Sequence, residues 1–148
     1  MSSNPRRVVE VTRSYHFSAG HRLENPALAP AANRALYGPC HRPHGHNYYL
    51  EVTVAGPVNP LTGMAVDLER LDTVVTETVL AEVDHTTLEE VPALAGVITT
   101  GEGLARAFWH ELAPSLPALV RVAVVETAKN RFEYLGEDEE VAGREGPR

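Results

Sequence analysis

Three of the chain's seven histidines and its only cysteine fall in one short stretch, Cys40-His41-Arg42-Pro43-His44-Gly45-His46-Asn47-Tyr48. His44 and His46 stand two apart, at the head of an alternating run, Tyr48, Leu50, Val52 and Val54. Side chains along a strand alternate faces, so a strand beginning here points both imidazoles the same way and supplies two legs of a metal site. The natural third donor is His21, in Phe17-Ser18-Ala19-Gly20-His21-Arg22-Leu23. Three neutral imidazoles with an open fourth position are the donor set of a catalytic zinc. Imidazole also suits copper, iron and nickel, so the pattern specifies a metal more firmly than it specifies which one.

Cys40 has two sharp readings. It could close the site as a fourth ligand, or it could serve as a reactive thiolate beside an open metal. A free thiol titrates near ~8.5 and drops beside a cation. Arg42, His41 and the metal site are all close in sequence, which favours the thiolate; an inert buried cysteine is the plain alternative. His41 is a decoy ligand that tunes the thiol or faces solvent. His16 and His110 are read as structural.

Asp84-His85 follows a helix. The aspartate could fix the tautomer of the histidine and make a proton shuttle; alternatively, the histidine simply meets the carbonyl dipoles of a helix end. Thr99-x-x-Glu102 matches a capping box, or else forms a polar cluster at a helix start that holds a ligand ring. Glu126 interrupts a valine-lined strand face. It is either at an exposed strand end or placed to bind paired N–H donors of a guanidine-like ring edge.

These groups need a scaffold, and the patterning supplies one. Val8 to Ala19 and Asn47 to Ala55 read as strands. The segment between them, Asn25 to Pro39, carries three prolines and reads as a long connection, helical at Asn33 to Leu36, of the kind that serves a binding site. Gly56 to Gly63 is a turn, after which Met64 to Val66 resumes a strand and closes a hairpin. Asp67 caps a helix over Leu68 to Val83, with Leu68, Leu71, Val75 and Val79 on its buried side. Glu89 to Ile98 is a loop. A second helix runs from Thr99 to Leu112, with Leu104, Phe108 and Leu112 inward, and stops at Pro114. Leu119 to Glu126 and Arg131 to Leu135 are strands joined by a turn at Lys129-Asn130. The order is that of an α+β domain, an antiparallel sheet with helices on one face. The other face is left bare, which predicts oligomerisation.

At 148 residues the chain fits one domain, 8–136. Residues 1–7 read as a flexible arm and the acidic segment 137–148 as a disordered tail. The net charge of −7 argues against a broad nucleic-acid footprint. One cysteine forms no internal disulfide, which suits the cytoplasm. No apolar run spans a bilayer, Met1 to Arg7 lacks a signal-peptide core, and neither a dinucleotide nor a P-loop fingerprint is present.

Taken in order, these stretches resemble the 6-pyruvoyl-tetrahydropterin synthase / 6-carboxytetrahydropterin synthase family over Tyr15 to Glu137. The carrying motifs are Phe-Ser-Ala-Gly-His-Arg-Leu, Cys…His-Gly-His-Asn-Tyr, Thr-Gly-Met-Ala-Val-Asp-Leu, Asp-His-Thr-Thr-Leu, Thr-Thr-Gly-Glu, Phe-Trp and Val-Glu-Thr…Tyr-Leu-Gly-Glu. The resemblance implies a tunnelling fold (T-fold): a four-stranded antiparallel sheet and two helices per subunit, three sheets closing a barrel and two trimers stacking as a hexamer. It implies zinc on His21, His44 and His46, and Cys40 as catalytic thiolate. Asp84 and His85 would complete a proton-transfer triad from a neighbouring subunit. Glu126, supported by Thr100 and Glu102, would anchor the pterin ring of 7,8-dihydroneopterin triphosphate. Arg22, Arg42 and Lys129 are candidates for the triphosphate.

Two branches share that substrate. The Cys-x-x-x-His-Gly-His gap resembles the carboxy enzymes of the queuosine pathway, which release acetaldehyde as well as triphosphate; the long segment from Leu23 to Cys40 and the ending Glu-Thr-Ala-Lys-Asn resemble the pyruvoyl enzymes. The gap favours the carboxy branch as the main expectation, with 6-pyruvoyl-tetrahydropterin synthesis as the alternative. From other classes, the rivals are a non-catalytic zinc-binding interaction module with Cys40 as fourth ligand, and a zinc hydrolase acting on purine or pterin rings without the thiol.

Overall fold

A computed structural model describes residues 8–138; the expected N-terminal arm and all but the first two residues of the expected tail lie outside that range. Those first two residues, Glu137 and Asp138, follow the last strand, and Asp138 accepts a bidentate hydrogen bond from Arg106 and one from Tyr134 at 3.0 Å.

Two fourteen-residue strands form the centre. β1 (Val8–His21) and β2 (His44–Pro57) pair antiparallel along their whole length, from Val8 opposite Pro57 to His21 opposite His44. The metal-ligand candidates therefore close the pair at one end. Between the strands, α1 (Pro30–Tyr37) and a 3-10 turn (Gly38–His41) fold the connection. Asn33, fully buried, ties it with its side-chain oxygen on the amide of Asn25 and its amide on the carbonyls of Asn25 and Leu28. The helical part is thus longer than the Asn33 to Leu36 that the sequence suggests.

The expected strand at Met64 to Val66 is absent. β2 already has β1 on one edge, and β4 (Leu119–Thr127) occupies the other as far as Val54. With the Ala55 amide also taken, by the Ala118 carbonyl, only Gly56 and Pro57 remain on that edge, too little for a hairpin partner, and Asn59 and Met64 close a loop instead. The sheet has five strands rather than four; with β3 (Thr86–Thr87) and β5 (Asn130–Tyr134) at its edges the order is β3-β1-β2-β4-β5. The addition is β3, a two-residue strand parallel to Ala19 and Gly20; β5 pairs with β4 at the other edge. Two residues carry no periodicity, so a strand of that length leaves no pattern to read.

The two expected long helices cover one face. α2 (Leu68–Val75) starts on the carboxylate of Asp67, which accepts the Arg70 amide at 3.1 Å. It runs on through a π turn (Thr76–Leu80) into α3 (Ala81–Val83). The wider π turn keeps Val75, Val79 and Val83 on one side, all buried, while Leu68 is only partly covered. α4 (Gly101–Leu112) buries Leu104, Phe108 and Leu112. Both pack on Phe17, Tyr48, Leu50, Val52, Val122 and Val124 of the sheet, each worth roughly 1.5–3 kcal/mol on removal from water.

The opposite sheet face is polar, not apolar. Glu10, Arg121, Glu133, Arg131 and Glu51 form a ladder of alternating charge across it, and the hydroxyls of Thr12 and Thr53 meet at 2.7 Å. An antiparallel sheet tolerates water on such a face, so its chemistry demands no apolar cover. What is open is backbone: β5 ends the sheet, and beyond Ala19 and Gly20 the outer edge of β1 pairs with no described strand. Among the described residues, no helix is long and apolar enough to cross a membrane.

Candidate metal centre

The alternation that buries Phe17 and Ala19 ends on His21, 2% exposed, and the alternation that buries Tyr48 and Leu50 begins on His44 and His46. Because His21 and His44 are register partners and Ala19 faces His46, the three rings converge. Their centroids are 4.6, 5.1 and 5.0 Å apart for the pairs 21–44, 21–46 and 44–46. One ring nitrogen from each lies within 4.8 Å of the others.

The tautomers are set from behind. His21 Nδ1 lies 2.9 Å from the Thr99 carbonyl and His44 Nδ1 lies 2.6 Å from the Arg42 carbonyl. Each can only donate to a carbonyl, which leaves Nε2 as a lone pair. The Nε2 atoms of His21 and His46 are buried without a hydrogen-bond partner. Such groups are costly unless a partner other than the protein satisfies them. Burial, with the neighbouring imidazole His44 adding to it, lowers His21 to a pKa of about 4; burial also lowers His46, against the opposing pull of Glu126. Neutral imidazoles with free, converging lone pairs suit a borderline divalent ion, so these residues fit a zinc.

Glu126, on β4, reaches the same place. Its Oε2 is 3.4 Å from His46 Nε2 and 3.7 Å from His21 Nε2. Of the two readings open for this residue, the exposed strand end is set aside: its carboxylate stands over the imidazoles. Tyr48 completes the floor. It is fully buried, stacked on Phe17 at 4.7 Å, and its hydroxyl has no partner.

The other candidates are dispersed around this centre. Cys40 is exposed on the 3-10 turn and is not among the converging ligand atoms. Asp84 accepts from the Ser18 amide at 2.9 Å and from His85 Nδ1 at 3.0 Å. The Ser18 hydrogen bond is the main reason its carboxyl is held below the usual range. His85 is 82% exposed, and is the one described non-glycine residue at positive φ, 63°. The pair therefore exists and is presented outward at the β1 edge, not at the imidazoles.

The helix start differs from the capping box by one residue. Thr100, not Thr99, is the N-cap, and its hydroxyl accepts the Gly103 amide at 3.0 Å. The residue three on is a glycine, so no reciprocal acid exists, and Glu102 is exposed. Thr99 is thereby released to the interior, where it meets His21. Arg22, a candidate for phosphate, is paired with Glu24 at 2.7 Å. Glu89, whose Oε2 accepts from the Thr99 hydroxyl at 2.6 Å, was not legible in the sequence; it sits in a loop with no periodicity, beside a second glutamate.

A sheet with two helices on one face and three imidazoles at the end of its central strand pair defines an α+β protein of the tunnelling-fold type with a candidate metal site. The chain belongs to the 6-pyruvoyl tetrahydropterin synthase family, whose model matches residues 10–137. It is 41% identical over 143 residues to the 6-pyruvoyl tetrahydrobiopterin synthase of Poecilia reticulata, covering 92% of this chain and 97% of that one. It is 40% identical over 133 residues to the Homo sapiens protein of the same name, covering 86% and 92%. Among solved structures, the 6-pyruvoyl tetrahydropterin synthase of Caenorhabditis elegans superposes with a TM-score of 0.84 at 33% identity, over 89% of this chain and 98% of that one.

These relatives overturn the carboxy-branch expectation. That expectation rested on a short gap holding the thiolate against the metal. Cys40 lies in a 3-10 turn that ends at His41, and it is exposed outside the imidazole cluster. The spacing sets how the backbone passes from that turn into β2, not which bond breaks.

Proposed function

We propose that the chain is a zinc-dependent lyase that converts 7,8-dihydroneopterin triphosphate to 6-pyruvoyl-tetrahydropterin with release of triphosphate. The observation that carries this reading is the set of three converging imidazoles, with the Nε2 atoms of His21 and His46 buried and partnerless, in a chain matched nearly end to end by relatives named for that product.

His21, His44 and His46 would hold the ion, which when bound supplies Lewis acidity toward the side-chain hydroxyl oxygens. Glu126 would accept paired N–H groups from the pterin edge, with Thr100 and Glu102 assigned to support it. Cys40 takes a proton from a side-chain carbon. Asp84 orients His85 so that Nε2 faces outward, which suits a group that exchanges protons in a site shared with a neighbouring subunit. Cleavage of the C–O bond then releases triphosphate. The two electrons that one carbinol carbon loses pass to the pterin ring, which becomes the tetrahydro form, so no outside oxidant is required. The open edges of β1 and β5 support assembly by edge pairing, and the assembly assigned is a homohexamer built as two trimers.

The test is incubation of the zinc-loaded protein with 7,8-dihydroneopterin triphosphate, read by mass spectrometry. The expected product is 6-pyruvoyl-tetrahydropterin with one equivalent of triphosphate. A 6-carboxy product with acetaldehyde, or no turnover by fully metal-loaded protein, would refute the reading.

A further inference from the structure

We infer that Glu89 is a positioning residue for the metal centre, a carboxylate that joins the end of β1 to the start of α4 and so holds His21 and its acceptor Thr99 in register. The inference rests on the metal-binding reading above and extends it to a residue in a loop.

His21 and Thr99 are separated by 78 positions in the chain, and the contact between them decides the tautomer of the buried ligand. Glu89 bridges both sides. Its Oε1 accepts the amide of Arg22, the residue after His21, at 3.2 Å. Its Oε2 accepts the Thr99 hydroxyl at 2.6 Å. That hydroxyl oxygen lies 3.2 Å from His21 Nδ1, and the Thr99 carbonyl lies 2.9 Å from it. A charged acceptor makes the stronger kind of hydrogen bond, and here one acceptor fixes the donor on each side of the imidazole. Without it the Thr99 hydroxyl is left with only a longer contact to the Arg22 carbonyl, at 3.4 Å, and can turn away from the ring. An imidazole that loses its fixed Nδ1–H contact can place the proton on Nε2 instead, the atom that must carry the lone pair toward the ion.

The location of Glu89 adds a second consequence. It sits in the 3-10 turn Leu88–Glu90 directly after β3, and β3 follows Asp84 and His85. The same short segment is pinned to β1 at its head by His85, whose amide donates to the Ser18 carbonyl, and at its foot by Glu89. The metal ligand and the exposed Asp84–His85 pair are thus tied to the same short segment.

The test compares zinc affinity, by competition with a chromophoric chelator, across the full-length wild type and three variants. Glu89→Gln keeps the size of the side chain but leaves one acceptor for two donors. Thr99→Val keeps the shape and removes the hydroxyl, and Thr99→Ser keeps the hydroxyl. Glu89→Gln and Thr99→Val are expected to bind zinc about tenfold or more weakly, in the range for loss of a ligand's hydrogen-bond partner. Thr99→Ser is expected to bind as wild type does. The Co(II)-loaded form of Glu89→Gln is expected to show an altered d–d spectrum, which a merely structural role would not produce. Glu89 is exposed, so its variant carries the test even where Thr99→Val fails to fold. Wild-type affinity and an unchanged cobalt spectrum in Glu89→Gln would overturn the inference alone. Failure of the wild type to take up zinc would overturn it together with the metal reading.

Discussion

The amide of Leu23 donates to the carbonyl of Cys40 at 2.8 Å. One residue on, His41 Nδ1 returns a bond to the carbonyl of Leu23 at 3.0 Å. Leu23 lies two residues beyond His21, so these two bonds fasten the cysteine's turn to the strand that carries a metal ligand. His41, neither ligand nor solvent-facing, is a clamp.

From this clamp the roles of the two neighbours separate. Cys40→Ala is expected to retain zinc at wild-type affinity and to lose turnover, because its sulfur is outside the imidazole group. His41→Ala is expected to keep both zinc and the thiol while kcat falls, by roughly tenfold to a hundredfold if the turn shifts by about 1 Å. Metal content by atomic absorption beside steady-state rates distinguishes them. Zinc lost with Cys40→Ala would instead support the interaction-module reading, with sulfur as the fourth ligand.

Gly101 opens α4 directly beneath Phe132 of β5. A β-carbon built on Gly101 would overlap the Phe132 ring. Helix propensity alone makes glycine to alanine favourable by about 1 kcal/mol in a helix. Here the sign is expected to invert: Gly101→Ala destabilises by roughly 1–3 kcal/mol as the ring is displaced, lowering the thermal midpoint by several degrees. Adding Phe132→Val is expected to restore most of the loss. A midpoint equal to or above wild type for Gly101→Ala would contradict the packing argument.

The strand pair and its histidines were legible because period-two alternation extends to the ligands themselves: Phe17, Ala19 and His21 continue one face, and His44, His46 and Tyr48 another. The α4 boundary was legible through its threonines, though the cap lay one residue further on, since either Thr99 or Thr100 could satisfy the local rule and only burial decided between them. Glu89 was not legible, because its partners, Arg22 and Thr99, are brought to it by tertiary packing and not by spacing. The same holds for Met64 to Val66, where a plausible strand was excluded by two others already seated on β2. The branch assignment failed for a different reason: a short gap constrains the backbone, and the identity of the product depends on the chemistry around it.

Glu111 on α4 is half-buried, and its Oε1 is buried without a hydrogen-bond partner. Burial, and then the nearby carboxylate of Glu82, pushes its pKa up to about 7 from 4.5. The folded state therefore holds this proton where the unfolded chain has released it. The group's favourable contribution is present below about pH 4.5 and is lost as pH rises through 7. Glu111→Gln removes the charge that is costly above that range. Its gain over wild type is expected to be small at pH 5 and about 1–2 kcal/mol at pH 8, discounted for partial exposure. Urea unfolding at both pH values measures it, and a gain that is larger at pH 5 would show the sign to be wrong.

His21 gives the opposite dependence, and it should be read on protein stripped of metal with a chelator. Its folded pKa is about 4 against 6.5 in the unfolded chain. Above pH 6.5 both states hold it neutral and its contribution is intact. As pH falls below 6.5 the unfolded chain takes the proton first, and stability declines until about pH 4. Integrating that difference gives a loss of roughly 2 kcal/mol between pH 7 and pH 5. Because carboxylates elsewhere also begin to titrate, the measurement is the difference between wild type and His21→Gln, whose stability should fall by that much less over the same interval. The same depression lets the neutral imidazole persist in moderate acid, where an ordinary histidine would already be repelling a cation. Equal slopes for the two proteins would mean that His21 is not desolvated as its burial implies, and the case for a preformed ligand would weaken with it.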